Sequence, residues 1–401
     1  MKPLGTLLPF EEAKEIVNAN IKPVTRTEII NIDDSAGRTL AEEVIATTNT
    51  PPFDRASMDG YAVKARDTSN ASQLNPRFLN LTGELHAGAT HRMKVNNGEC
   101  IQIATGAMMP DGGDAVVIFE DTEEEDKRIK VFNSVSPKAN VTQKGADIKE
   151  GEFILRSGSI LNPGRIGLLA SQGISQIRVY EKPRVAIIPT GEEICEVGKK
   201  LSQGQVYNIN SHTISSVVQA NGGTPIRLGI TGDDIAKLKS AITEALNNDL
   251  VIISGGSSVG RRDLLTDALQ NWGKILFHGV RIKPGKPILF GKIDGKPVFG
   301  IPGFATSCLV TTHLFVAPAI RKMAHLPPKK EGVVEARLSQ GISRNPGRRQ
   351  FFTVRLEGDS AIPVYKESGA ITSMSQADGY IEIADNVARL EKDKPVTVRL
   401  F

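Results

Sequence analysis

Thr190-Gly191-Glu192-Glu193, the run from Ser254 to Asp263, and Lys283-Pro284-Gly285-Lys286-Pro287 gather hydroxyls, carboxylates and ammonium groups into short segments rich in glycine or proline. That mixture suits a phosphate ester handled with Mg²⁺, because lysines neutralise an oxyanion while carboxylate oxygens hold a hard cation. The middle segment, DLVIISGGSSVGRRD at 249–263, is the most telling. Leu250, Val251, Ile252 and Ile253 form a continuous apolar run that suits a buried parallel strand. Gly255, Gly256 and Gly260 let the backbone turn tightly and approach a ligand, and Ser254, Ser257 and Ser258 add hydroxyls. Leu264, Leu265, Ala268 and Leu269 then give a helix its apolar face, and an anion would sit at that helix's positive end. Taken alone, such a loop is equally a turn without a ligand. Singly, Glu192 and Glu193 also read as helix-start or loop carboxylates, Asp233 as an N-cap in TGDD, and Lys283 and Lys286 as a solvated turn. Their joint placement favours a site.

The elements around these segments place them together. Residues 184–188 read as a strand, 210–220 as a helix, 226–228 as a strand and 233–246 as a helix with Ile235, Leu238, Ile242 and Leu246 on one face. A strand at 250–253, a helix near 263–270 and a strand at 275–278 follow. This alternation predicts a largely parallel sheet with helices on both faces, and ligands of such sheets bind beyond the carboxyl ends of the strands. On the amino-terminal side, residues 9–20 read as a capped helix and 27–180 as strand-like. There, 115–119 is expected to be a strand and Glu123, Glu124, Glu125 and Asp126 a solvated turn. Pro327, Pro328, Lys329 and Lys330 read as a linker, and the strand-rich tail beyond them as a separate small β domain. Within it, Asn345-Pro346-Gly347 reads as a turn before a strand carrying Arg348, Arg349, Phe351 and Phe352; the competing reading is a partner or nucleic-acid patch.

Composition bounds the function. At 401 residues the chain exceeds a typical single core, and 40% apolar with 23% charged residues is ordinary for a globular protein. A net charge of +4 does not call for nucleic acid. Cys100, Cys195 and Cys308 lie far apart, without metal-ligand spacing or a disulfide framework, which points to a reducing, cytoplasmic setting. No apolar run approaches a membrane span, and the start of the chain does not read as a signal peptide.

A set of further motifs then comes into play: Phe53-Asp54-Arg55-Ala56-Ser57-Met58-Asp59-Gly60-Tyr61-Ala62-Val63, Thr105-Gly106-Ala107, Gly113-Asp114-Ala115-Val116-Val117, and Gly145-Ala146-Asp147-Ile148. With Thr190-Gly191-Glu192-Glu193, Ser254-Gly255-Gly256, Ser258-Val259-Gly260 and Lys283 to Pro287, in this order, the chain resembles the molybdopterin molybdenumtransferases of the MoeA and gephyrin E-domain type over essentially its whole length. The resemblance implies an α/β plus β architecture. A central doubly wound, mostly parallel α/β domain of molybdopterin-binding type would span 182–326, and a small β-barrel-like domain 331–401. Residues 1–26 would carry an N-terminal helix docking on the α/β domain, 27–53 with 148–181 an elongated dimerisation domain, and 54–147 a β-rich domain.

The implied reaction is molybdate insertion into the dithiolene of adenylyl-molybdopterin, with release of AMP, formation of molybdenum cofactor and help from Mg²⁺. The implied assembly is an elongated homodimer whose site lies between the α/β domain of one subunit and the β-rich second domain of the other. By the resemblance, Asp59, Asp147, Lys283 and Lys286 are catalytic. Thr105, Thr190, Gly191, Ser254, Gly255, Gly256, Ser258, Gly260, Pro302, Gly303 and Ser307 would contact the pterin substrate, and Glu192, Glu193, Asp233 and Asp263 the metal, with the choice between the two glutamates open. Other proteins of cofactor biosynthesis are allowed as partners.

Three departures stand out. Pro302-Gly303-Phe304-Ala305-Thr306-Ser307 replaces the common Pro-Gly-Asn-Pro-Val-Ser, Arg261 and Arg262 add charge where acidic or small residues are frequent, and Ala56-Ser57 inverts the usual order. The added charge and the missing amide motivate the hypothesis of a paralogue with altered oxyanion preference, such as tungstate; equal use of both oxyanions by this protein and a standard member would remove its basis. Competing readings are a molybdopterin adenylyltransferase, which shares the SGG loop but lacks the flanking β domains, and a scaffold that binds without turnover.

Overall fold

The computed structural model describes residues 6–89, 92–232, 234–255, 264–330 and 332–401. The chain divides into two compact units, one of Ile29–Ala36 with Leu40–Arg178, the other of Met1–Glu28 with Gly37–Thr39 and Val179–Phe401. Among the described residues, no helix is long and apolar enough to cross a membrane.

The chain enters through helix α1 (Phe10–Asn20), as its spacing predicts. The first unit is then built on a six-stranded sheet of β1 (Gly60–Val63), β2 (Arg77–Leu85), β3 (Glu99–Ile103), β4 (Ala115–Ile118), β5 (Thr122–Glu125) and β6 (Arg128–Val131), in the order β4-β1-β3-β2-β6-β5. Its central strands are buried on both faces: Tyr61, Val63, Cys100 and Val117 pack on one side, Ala62, Ile101, Ile103 and Val116 on the other. Gly60 is required here because a Cβ would run into the Val117 carbonyl of the neighbouring strand. The acidic run is not the expected turn. Residues Thr122–Glu125 form the edge strand β5, paired with β6, and only Asp126 turns, at φ +54°. Two facts explain the correction: Lys130 lies 3.8 Å from Glu123 and 3.2 Å from Glu125 on the same face, and charge suits a strand whose outer edge must not pair further. The strand-like stretch is also interrupted by a helix, α2 (Pro163–Ser171), capped by the Asn162 side chain, which accepts the Arg165 N–H at 2.9 Å. Pro163 at its start is the local signal.

The second unit holds an α/β sheet of β7 (Arg184–Pro189), β8 (Thr224–Arg227), β9 (Leu250–Ser254), β10 (Gly273–His278), β11 (Leu289–Ile293) and β12 (Lys296–Ile301), in the order β8-β7-β9-β12-β11-β10. The helices are α3 (Ile209–Ala220), α4 (Ile235–Ala245), α5 (Leu264–Trp272), α6 (Ala305–Thr311) and α7 (Ala317–Met323). Strand parity shows why the sheet is doubly wound. Val185, Ile187, Leu250, Ile252, Phe299 and Ile301 face a core shared with α1, α3, α6 and α7, whereas Ala186, Ile188, Val251, Ile253 and Val298 face α4 and α5.

Pairing is parallel among β8, β7, β9 and β12, but β11 and β10 join antiparallel. The β11–β12 hairpin is absent from the sequence reading, although Asp294-Gly295, both at positive φ (+48° and +77°), is the expected turn dipeptide. Strand 226–228 shifts to Thr224–Arg227, and α4 begins at Ile235, two residues after the expected start at 233. Asp234, not Asp233, caps that helix, accepting the Ala236 and Lys237 N–H groups at 2.8 and 3.3 Å. Leu238 and Ile242 are buried as expected, while Ile235 is exposed.

The tail forms β13 (Val333–Leu338), β14 (Arg349–Glu357), β15 (Ser360–Pro363), β16 (Gly379–Ile383) and β17 (Pro395–Leu400). The order β14-β15-β13-β17-β16, with β16 pairing back on β14, closes a five-stranded barrel. Ile282 and Lys283 pair with Arg349 and Gln350 of β14. Arg349 is not a free patch: it reaches Glu11 at 2.6 Å and Glu382 at 3.0 Å, and lies over the Phe10 ring.

The start of β9 is fixed by an ion pair. Arg26 donates to both Asp249 carboxylate oxygens at 2.9 and 2.8 Å, and the Arg184 N–H adds a third bond at 2.8 Å. Burial works against the Asp249 charge, but the Arg26 guanidinium and the Arg184 N–H outweigh it and hold the carboxyl below its ordinary range. With the folded value depressed, this stabilisation is present above the unfolded value of about 3.9 and is lost as pH falls through the folded one. Asp249→Asn is therefore expected to cost about 1–3 kcal/mol at pH 7, a difference that closes under acid; urea melts at pH 7 and pH 3 check it.

Candidate functional site

Sheet register assembles the site. Pro189 lies opposite Ser254, Ser254 opposite Ile301, Gly300 opposite Leu289, and Leu289 opposite His278. Strands β7, β9, β12 and β10 therefore end on one rim, where the antiparallel β11 begins. That rim receives residues 190–193, 254–255, 279–288 and 302–304, which lie up to about a hundred positions apart in the chain.

Hydrogen bonds continue the sheet past its last residues. The Thr190 N–H donates to the Ser254 carbonyl at 2.8 Å, the Gly191 N–H to Thr231 at 3.2 Å, and the Gly255 N–H to Ile301 at 3.1 Å. Asn210, from the first turn of α3, donates through Nδ2 to the Ser254 hydroxyl at 2.9 Å and to the Gly303 carbonyl at 2.8 Å. It ties two rim loops together and is missing from the sequence reading, because nothing local marks a side chain whose partners are so distant. Gly255 has φ +95°, and a Cβ there would lie 2.5 Å from the Thr190 carbonyl oxygen. Glycine is thus demanded both by conformation and by close approach. Gly255→Ala is expected to cost about 1–3 kcal/mol of stability and to spread Thr190 from Ser254. Denaturant melts would show the first; an alanine variant of unchanged midpoint would refute the packing argument.

Lys283 and Lys286 flank a cis Lys283–Pro284 bond and Gly285, which has φ +104° and packs so tightly on Thr311 that a side chain would clash. The Lys286 carbonyl accepts the Val280 N–H at 3.0 Å, closing the loop. Both lysines are half-buried, and among the described residues neither meets a carboxylate. Of the expected metal ligands, only the two glutamates fall on described residues. Both are exposed; the Glu193 carboxylate folds back over Gly191, while the Glu192 stem lies beside Gly232. Asp233, Gly256, Ser257, Ser258, Gly260, Arg261, Arg262 and Asp263 lie outside the described residues. Among the described ones no three His, Cys, Asp or Glu side chains gather as a metal site.

Pro302 is buried and Gly303 exposed. Ser307 is buried in α6, its N–H directed at the Ser368 carbonyl at 3.4 Å. The barrel contributes more than expected here: Thr306 donates its N–H to Ser368 at 3.0 Å and its hydroxyl to the Ala370 carbonyl at 2.8 Å. Burial pushes the Cys308 and Cys100 thiols up to about 12, which removes both as nucleophiles.

In the first unit, Asp59 Oδ1 accepts the Thr105 N–H at 2.6 Å and the Thr105 hydroxyl at 2.9 Å. These two bonds, the N–H first, hold the exposed carboxyl below its ordinary range. Gly106, at φ +83°, donates to the Ala56 carbonyl at 2.8 Å and so fixes the turn that presents Thr105. Asp147 is exposed on another loop, its N–H on the Thr50 carbonyl at 3.0 Å, and takes no part in the Asp59–Thr105 cluster.

Known families match this chain in three consecutive blocks: the MoeA N-terminal region (domain I and II) over residues 8–173, a probable molybdopterin binding domain over 186–322, and the MoeA C-terminal region (domain IV) over 335–401. A molybdopterin molybdenumtransferase of Haemophilus influenzae is 31% identical across 98% of this chain and 99% of its own. One of Nostoc is 34% identical across 88% and 83%. A crystal structure of a molybdopterin biosynthesis MoeA protein from Pyrococcus horikosii is 40% identical, with a TM-score of 0.86 across 98% of this chain and 99% of that one. With similarity of this extent along its whole length, the chain belongs to the MoeA family.

Proposed function

We propose that the protein inserts molybdenum from molybdate into adenylyl-molybdopterin, releasing AMP. The observation that carries this reading is the rim, on which Thr190, Ser254–Gly255, Gly303 and two lysines without carboxylate partners among the described residues are brought together. As an oxygen of water or molybdate bonds to the pterin-side phosphorus, the phosphoanhydride P–O bond breaks and AMP leaves with its electron pair, so negative charge must be met on the departing phosphate and on the phosphate left on the pterin. Lys283 and Lys286 supply that positive charge at a half-buried site, where it acts more strongly than in bulk water. The Ser254 hydroxyl helps to orient the oxyanions, while the Thr190 hydroxyl is held on the Ser254 carbonyl at 3.3 Å.

The rim carboxylates, of which Glu192 and Glu193 are described and exposed, are the hard oxygen donors that Mg²⁺ takes. Glu192, whose stem lies beside Gly232, would hold it together with Asp233 and Asp263, and Glu193 would turn away. Such an ion, when bound, polarises the phosphoryl oxygens as a Lewis acid. Asp59 and Thr105 orient the attacking oxygen or the molybdate, and on this reading the protein works as a homodimer to whose reaction each subunit contributes Asp59, Thr105 and Asp147.

The test is AMP release from adenylyl-molybdopterin by the purified protein with Mg²⁺, followed chromatographically with and without molybdate. Release that depends on molybdate supports the reading, and tight pterin binding without release would turn it toward a carrier.

A further inference from the structure

Phe304 is the most exposed aromatic side chain among the described residues, at 69%. It follows Gly303 on the rim loop that Asn210 fastens to Ser254. Single exposed apolar side chains are ordinary on protein surfaces, so exposure alone assigns nothing. Three other features do. The backbone that presents the ring is fixed from both sides: the Phe304 carbonyl accepts the Cys308 N–H at 2.8 Å, and Thr306 is bonded to the 368–370 segment of the barrel by its N–H and its hydroxyl. That segment turns a glycine to the ring. A Cβ on Gly369 would come 3.5 Å from Phe304 Cδ1 and 4.0 Å from Cε1, an ordinary contact, so a side chain would fit and cover the ring, yet none is present. Finally, the three most exposed phenylalanine rings apart from Phe304 have partners, with Arg128 over Phe78, Arg156 over Phe153 and Tyr61 edge-on to Phe119, whereas Phe53 and Tyr207 share its lack of one among the described residues. Among the described residues Phe304 has no ring or cation partner.

We propose that Phe304 is a stacking platform for a planar nitrogen heterocycle, the pterin or the adenine of the substrate. This rests on the function proposed above and names how the rim recognises its substrate's rings. A ring stacked on an aromatic side chain gains binding without directional hydrogen bonds, and Phe304, with only two side-chain torsions on an anchored backbone, orders at low cost when it takes one up. Its position at the strand ends puts it with the lysines on one rim, so ring and phosphate are recognised by one loop cluster.

Calorimetric titration with two separate probes, AMP and pterin-6-carboxylate, tests this on the wild-type protein, Phe304→Leu, Phe304→Ala, Phe304→Trp and Lys286→Ala. The expected result is that one probe binds about tenfold more weakly to both the Leu and Ala variants and at least as tightly to the Trp variant, with thermal midpoints unchanged because the ring is exposed. The probe affected identifies the ring. Wild-type affinity of Phe304→Leu for both probes would mean that any effect of the Ala variant is apolar cover, and would overturn the platform. Equal binding by all Phe304 variants, with AMP weakened by Lys286→Ala, would also overturn it and leave the site standing. Failure of the wild-type protein to bind either probe would overturn the site reading and the platform together.

Discussion

Asp59→Asn is expected to lower the rate of molybdate-dependent AMP release at least about a hundredfold. The substitution isolates charge from structure. An amide oxygen still accepts the Thr105 N–H and hydroxyl, which reach Asp59 at 2.6 and 2.9 Å, so the turn should hold and the thermal midpoint should stay close to that of the parent. What disappears is the negative charge. Because the Thr105 N–H, and after it the hydroxyl, hold the wild-type carboxyl below its ordinary range, Asp59 stays ionised across the neutral and mildly acidic range. The loss in the variant should therefore be constant between pH 5 and 8, and any acid limb of the wild-type profile there belongs to another group. Thr105→Ala, which removes one donor and keeps the backbone N–H, should cost less. A rate for Asp59→Asn within about threefold of wild type would take Asp59 out of the reaction.

Lys286→Ala should weaken AMP binding and raise KM by about 10–100-fold, the range of a lost charge-assisted contact to phosphate. Lys286 is half-buried beside Gly285, with no carboxylate partner among the described residues, so its removal leaves no new unpaired charge to confuse the reading. Arginine should not restore full activity, since a planar fork is a poor substitute for a compact ammonium on so tight a loop. The defect should shrink as salt rises, because screening weakens the wild-type contact too. If Lys283 and Lys286 grip one phosphate, their alanine variants will combine non-additively. Unchanged AMP affinity at low salt would place the phosphate elsewhere.

How much of this was legible depends on the range over which each residue acts. Leu250 to Ile253 announced a buried central strand because all four are apolar, and the structure buries alternate members against opposite helix layers. The core α/β alternation and the barrel-forming tail followed from equally local patterns. Local signals were also overlooked: Asp294-Gly295 marks the β11–β12 hairpin, and Asn162-Pro163 marks α2. Charge misled at Glu123 to Glu125, where solvation of an edge strand looks the same as solvation of a turn. The capping role given to Asp233 fell to its neighbour Asp234, since either carboxylate satisfies the pattern and only backbone geometry chooses. Other features had no local signal at all. Asn210 bonds to residues 44 and 93 positions away, and Asp59 finds Thr105 46 positions on; family resemblance named Asp59 and Thr105 as separate site residues but not their bond. Phe304 appeared in the sequence as a missing amide, and only the uncovered ring beside Gly369 gives it a role.

The most direct measurement is a single-turnover reaction of adenylyl-molybdopterin with molybdate and Mg²⁺, in which released AMP and pterin-bound molybdenum are quantified in the same samples over time. The account predicts equal amounts of the two, rising together, and neither in the Asp59→Asn protein. AMP released at the same rate without molybdate, or with no molybdenum retained on the pterin, would contradict it and leave a phosphoanhydride hydrolase in its place.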